Sequence, residues 1–92
     1  MALQPGCVRG FEQDRGVMLF SMMDGAREVA CAVSSSAMDD LERGSRAKPD
    51  QRKDQLLRLR SRIEQCASRN FYAGEFEGAP PGIILRSMDF RT

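Results

Sequence analysis

Apolar positions concentrate in two short runs, residues 16–23 and 26–33, interrupted by Asp24-Gly25. An Asp-Gly pair between two such runs predicts a β-hairpin with a two-residue type I′ loop, because glycine accepts a positive φ without steric cost. Met23 then faces Ala26, Phe20 faces Val29, and Met18 faces Cys31. Opposed residues share a face. One side therefore carries Met18, Phe20, Val29, Cys31 and Val33. The other carries Val17, Leu19, Ser21, Glu28, Ala30 and Ala32. The first side is the more apolar and is expected to meet the core. Residues 7–11 form a candidate first strand at a sheet edge, after a frayed lead-in over 1–6.

Beyond the hairpin the period changes. Ser34-Ser35-Ser36 ends the strand and opens a helix of about two turns at most. Ser36 with Asp39 reads as a weak capping box, Met38 and Leu41 as inward anchors, and Gly44 as the stop. Pro49 suits the first turn of a second helix, predicted to run to about Asn70. Along it Leu56, Leu59, Ile63, Cys66 and Ala67 fall on one stripe, which should roof the apolar side of the hairpin. Leu57 lies off that stripe. Residues 71–76 are an aromatic linker, and 44–49 and 77–82 read as loops, the latter because it contains Gly78-Ala79-Pro80-Pro81-Gly82. Residues 83–90 are expected to form a final strand. The expected fold class is α+β, with strands and helices in the order β-β-β-α-α-β. It would be a small antiparallel sheet with two helices packed on one face, a single domain over 1–92.

Composition narrows the function classes. With 92 residues, 41% apolar and 29% charged, the chain fits one small folded domain and not a disordered segment. No apolar run is long enough to span a membrane, so no membrane association is expected. Histidine is absent, which removes the commonest general base and the commonest metal ligand together. Cys7, Cys31 and Cys66 are odd in number and widely spaced, unlike a secreted disulfide scaffold or a metal-binding motif. No signal-peptide pattern opens the sequence. The expectation is a cytoplasmic protein with reduced thiols, Cys31 and Cys66 acting as small buried hydrophobes. Asp39 and Asp40 are adjacent, point apart on a helix and suit its positive end better than acid–base work. No serine-nucleophile motif or phosphate-cradling glycine loop is present. A catalytic constellation is therefore not expected, nor is any cofactor or metal.

Charge is unevenly placed. Net charge is only +1, yet residues 43–69 hold nine Lys/Arg against three Asp/Glu, while residues 1–42 hold three against seven. Arg58, Arg62 and Arg69 form an outward stripe on the second helix. It is a candidate surface for nucleic acid or an acidic partner, or else an ordinary solvated face. The second candidate surface is the outer side of the sheet. Val17, Leu19, Ala30 and Ala32 could pair two protomers or accept another protein. The favoured reading is a non-catalytic interaction module, a homodimer or a partner for a second protein. Nucleic-acid binding is the alternative.

Phe20, Asp24-Gly25, Val29-x-Cys31-x-Val33-Ser34, Met38 and Leu41 recur in one known template. So do Arg62-Ile63-Glu64 with Ala67, then Gly74, Gly82 and Asp89-Phe90. On these positions the chain resembles the bacterial domain-of-unknown-function 1488 family, also called Shew3726-like, over about residues 8–90. That template usually opens with an apolar-Phe-Pro strand, where this chain has Val8-Arg9-Gly10-Phe11. The resemblance implies a small α+β domain with an antiparallel sheet and packed helices. It implies no activity.

Overall fold

In the computed structural model, which describes residues 3–43, 46–77 and 82–90, the central hairpin is the best-paired unit. Strands β2 (Val17–Asp24) and β3 (Arg27–Ser34) run antiparallel. The loop is Gly25-Ala26, not Asp24-Gly25, since Asp24 still pairs with Arg27. Gly25 has φ 64° and Ala26 keeps a negative φ, the pattern of a type II′ turn, which asks for glycine only at its first position. Phe20 consequently faces Cys31, and Met18 faces Val33. The register differs by two residues from the expected one. An even shift leaves every side chain on its expected face, so the inward set survives the correction.

Strand β1 (Gln4–Glu12) lies on one edge and β4 (Ile83–Leu85) on the other, in the order β1-β2-β3-β4. Residues 4–6 thus belong to a strand and not to a frayed lead-in. Leu3, itself buried, donates its N–H to Ser68 Oγ at 3.1 Å, and Arg60 Nη2 donates to Gly6 O at 3.3 Å. Met1 and Ala2 lie outside the described residues. β1 slips twice against β2, between Pro5 and Val8 and between Val8 and Gly10. Each slip adds a residue to β1 and flips its alternation. Val8 and Phe11, three apart, therefore both face the core, opposite Phe20 and Met18.

β4 pairs with β3 in parallel, Cys31 with Ile83 and Val33 with Leu85. The sheet is thus mixed, not purely antiparallel. A helical layer between two neighbouring strands returns the chain to the starting end, and that crossover makes the strands parallel. The expected long last strand also stops early. After Leu85, Asp89 Oδ2 accepts the Arg86 N–H at 2.7 Å, and Asp89 N–H returns to Arg86 O at 2.9 Å. This closes residues 87–90 into a 3-10 turn, Ser87–Phe90.

Helix α1 (Ser35–Leu41) is capped by Ser34, whose Oγ accepts the Ala37 N–H at 3.0 Å; Ser36 is not the cap. Gly44 lies outside the described residues. Pro49 opens a 3-10 turn, Pro49–Gln51, that leads into α2 (Arg52–Arg58) and α3 (Arg60–Tyr72). The single long helix expected from the pattern is broken at Leu59, with φ −99° and ψ 5°. There the layer changes the strands it covers: α2 packs on β1 and β2, α3 on β4. A straight helix would diverge from a twisted sheet over that distance. Gly78, Ala79, Pro80 and Pro81 lie outside the described residues, and Glu77 and Gly82 form an antiparallel bridge beside them.

The core lies between the helices and the inner sheet face. Met18, Phe20, Met22, Val33, Met38, Ile63, Ala67, Ile83 and Leu85 are all buried. Leu56, Ile63, Cys66 and Ala67 of the predicted stripe are in it, with Leu59 partly buried. A polar clasp joins α1 to α2. Arg52 donates through Nη1 to Asp39 Oδ1 and Gln55 Oε1, each at 2.7 Å. Gln55, fully buried, donates to Asp39 Oδ1 at 2.9 Å and Glu42 Oε1 at 3.1 Å. The Arg52 guanidinium also lies 5.7 Å from the centre of the Phe11 ring, so one side chain ties both helices to β1.

Candidate functional site

The outer sheet face is the first candidate. Register places Val17, Leu19, Ser21, Ala30 and Ala32 on it together, and β4 adds Ile84 opposite Ala32. Val17 and Ala32 are buried, Leu19 is half-buried and Ala30 is exposed. Val17 and Ala32 line a groove of about 450 Å³ together with Ile84, and Arg15, Arg86 and Met88 stand on its margin. Met88 is 71% exposed, the most open large apolar side chain among the described residues. A second hollow on the far side of Ile84, Arg86 and Met88 is lined by Phe76, itself 44% exposed. Leu19 and Ala30 lie outside both hollows, further along the same face.

The arginines at the groove are not bare charges. Arg15 Nε pairs with Glu12 at 2.6 Å, and Arg86 Nη1 with Glu77 at 2.5 Å. Each pair holds its carboxyl below the usual range, chiefly through the hydrogen bond from the arginine. The groove thus has an apolar floor and a margin carrying both signs of charge. Sequence reading found Val17 and Ala32 but missed Ile84, Met88, Arg15 and Arg86. Residues 83–90 read as a strand, and nothing in their pattern marks the turn that swings Met88 to the groove.

The basic stripe divides. Arg58 bonds Glu42 through Nε at 2.9 Å and Nη2 at 3.1 Å. It lines a hollow with Leu3 and Leu57. Arg62 and Arg69 instead share a polar recess of about 350 Å³ with Gln65, Cys66, Asp89 and Phe90. Arg69 donates to the Asp89 carbonyl and lies 3.6 Å from Cys66 Sγ.

The thiols are in separate places. Cys7 is exposed on β1, while Cys31 and Cys66 are buried. Burial pushes the Cys31 thiol up to about 12 and raises that of Cys66, so both are neutral thiols at pH 7. Cys66 Sγ donates to the Asp89 carbonyl at 3.3 Å. Burial opposes ionisation of Asp39, but Arg52 and Gln55 outweigh it and hold the carboxyl below its ordinary value. Glu42 is likewise lowered, first by Arg58. These carboxylates are fixed as anions in a clasp and hold no proton to give at neutral pH. Among the described residues no group of three potential metal ligands comes together, and no helix is long and apolar enough to cross a membrane.

A family model described as "Protein of unknown function (DUF1488)" matches residues 5–84 of the 92. The chain belongs to the DUF1488 family. The match begins within β1, ends within β4 and includes β2, β3 and the three helices, so the mixed sheet with its helical roof is the body of this DUF1488 domain. It stops just before the turn that carries Met88, Asp89 and Phe90. No curated protein and no solved structure matches the chain. DUF1488 membership supplies a family and no chemistry.

Proposed function

We propose that this DUF1488 domain is a non-catalytic pairing module whose occupant on the outer sheet face is a second copy of the same chain. The observation that carries this reading is Met88. It is 71% exposed and stands beside an apolar groove floored by Val17, Ala32 and Ile84. A knob and a hole on one face meet the requirement of a two-fold interface, in which each copy offers the same patch. Methionine is flexible enough to seat in such a groove. The margin is self-complementary as well. Glu12 with Arg15 and Glu77 with Arg86 supply both signs, so the pairs can exchange partners across a two-fold axis. Pairing through strand edges is less favoured. β1 is bulged twice and β4 is three residues long, and both features blunt an edge.

The nucleic-acid reading would use Arg58, Arg62 and Arg69 as one surface. It has less support, since Glu42 occupies Arg58 and the other two line a different recess.

Sedimentation and light scattering at micromolar concentration test the proposal. Wild type is expected to be a dimer and Met88→Asp a monomer. Leu57→Asp, on the helical side and 43% exposed, is expected to stay dimeric. A monomeric wild type, or a dimer indifferent to Met88→Asp, overturns it.

A further inference from the structure

The geometry points to a phosphate-binding site on the helical side, in the recess between α3 and the turn Ser87–Phe90. This site is separate from the pairing groove. Arg62, Gln65 and Arg69 stand at i, i+3 and i+7 on α3 and so line one face. Phe90 and Asp89 form the facing wall. Three of the arginines on the helical layer are matched to carboxylates: Arg52 to Asp39, Arg58 to Glu42, and Arg60 to Glu64. Arg62 is exposed and has no carboxylate against it among the described residues. It is a guanidinium at the mouth of a polar recess, with a fork of donors suited to a phosphate group.

The rest of the recess agrees with that ligand. Arg69 is oriented by its bond to the Asp89 carbonyl. Gln65 adds an uncharged amide. Cys66 presents a neutral thiol and no competing anion, because burial raises its pKa. The Asp89 carboxylate accepts bonds at both oxygens, one from Asn70 Nδ2 at 3.2 Å and one from the Arg86 N–H at 2.7 Å, and its negative charge is opposed in the recess by the two guanidinium groups of Arg62 and Arg69. Phe90 offers an aromatic wall beside the arginines. A recess of about 350 Å³ fits one phosphate with a small, flat substituent. A polynucleotide would want a row of unpaired cations. The ligand class is therefore a small aromatic phosphate monoester.

Titration of the full chain with inorganic phosphate and with phenyl phosphate at low chloride, followed by amide NMR shifts, tests this. Saturable shifts are expected at residues 62–69 and 89–90, with phenyl phosphate binding several-fold tighter than phosphate. Arg62→Gln should weaken both by about tenfold, the loss of one charge-assisted contact. Arg58→Gln should change neither. Absence of saturation at millimolar ligand, or shifts indifferent to Arg62→Gln, overturns the proposal. A single-stranded oligonucleotide that binds tighter and is weakened by Arg58→Gln also overturns it, in favour of a nucleic-acid surface.

Discussion

Asp39 joins helix α1 to α2 through its bonds to Arg52 and Gln55. Arg52 is nine-tenths buried, and Asp39 is its carboxylate partner. Replacing Asp39 with Asn leaves a buried guanidinium without a counter-charge, a loss of about 3 kcal/mol, to be read from urea unfolding at pH 7. The pH dependence has a definite sign. The folded carboxyl is held below its unfolded value, so its stabilisation is full above about pH 4 and is lost as pH falls through the depressed folded value. Wild type should lose stability over that acid window, and Asp39→Asn should lack that part of the slope. The thiols give a second test at this scale. A thiol reagent should titrate Cys7 at once in the native protein and reach Cys31 only after unfolding. Fast native labelling of Cys31 would contradict its burial. That burial was legible in the sequence, because Cys31 alternates with Val29 and Val33. The clasp was not. Asp39 read as helix-end charge and Arg52 as one of many bases, and only the tertiary approach of α1 to α2 joins them.

Among the elements, β4 is sensitive to a single added atom at the residue that leads into it. A Cβ at Gly82 would sit 2.8 Å from the carbonyl oxygen of Ala30, a backbone atom that cannot swing away. Gly82→Ala should therefore push β4 off β3 at a cost of about 1–3 kcal/mol. Hydrogen exchange should speed up at residues 83–85 while the β2–β3 hairpin keeps its protection. Legibility varies from element to element for physical reasons. The hairpin faces could be read because parity along a strand survives an even slip, though the loop position could not. β1 was the least readable strand because its two bulges break the period of two on which strand reading depends. The break at Leu59 has no proline or glycine to announce it; it answers to the twist of the sheet beneath. Residues 83–90 alternate like a strand throughout. The Asp89 side chain's bond to the Arg86 N–H ends that strand, and this bond is a choice of geometry that periodicity does not encode.

For the molecule as a whole, one core joins both layers. Ile63 is 1% exposed and belongs to the same cluster as Phe20, Cys31 and Ile83. Ile63→Ala should cost about 3 kcal/mol and lower the denaturant midpoint with little change in slope, as expected if sheet and helices unfold together. The α+β class was legible from the change of period after Ser34. The parallel seat of β4 was not, because strand direction follows from how the helical layer crosses the sheet. The candidate surfaces were half legible. Val17 and Ala32 could be placed by alternation and Arg62 with Arg69 by helical spacing. Their opposing walls come from the turn around Met88 and Phe90, where no periodic signal exists. The parallel seat also bears on synthesis. A polypeptide leaving the ribosome completes β3 well before β4, so the rim of β3, Cys31 to Val33, stays unclaimed while the whole helical layer is being made. During that interval the nascent chain is most open to capture by chaperones or by neighbouring chains, and slowing elongation ahead of Ile83 would lengthen it.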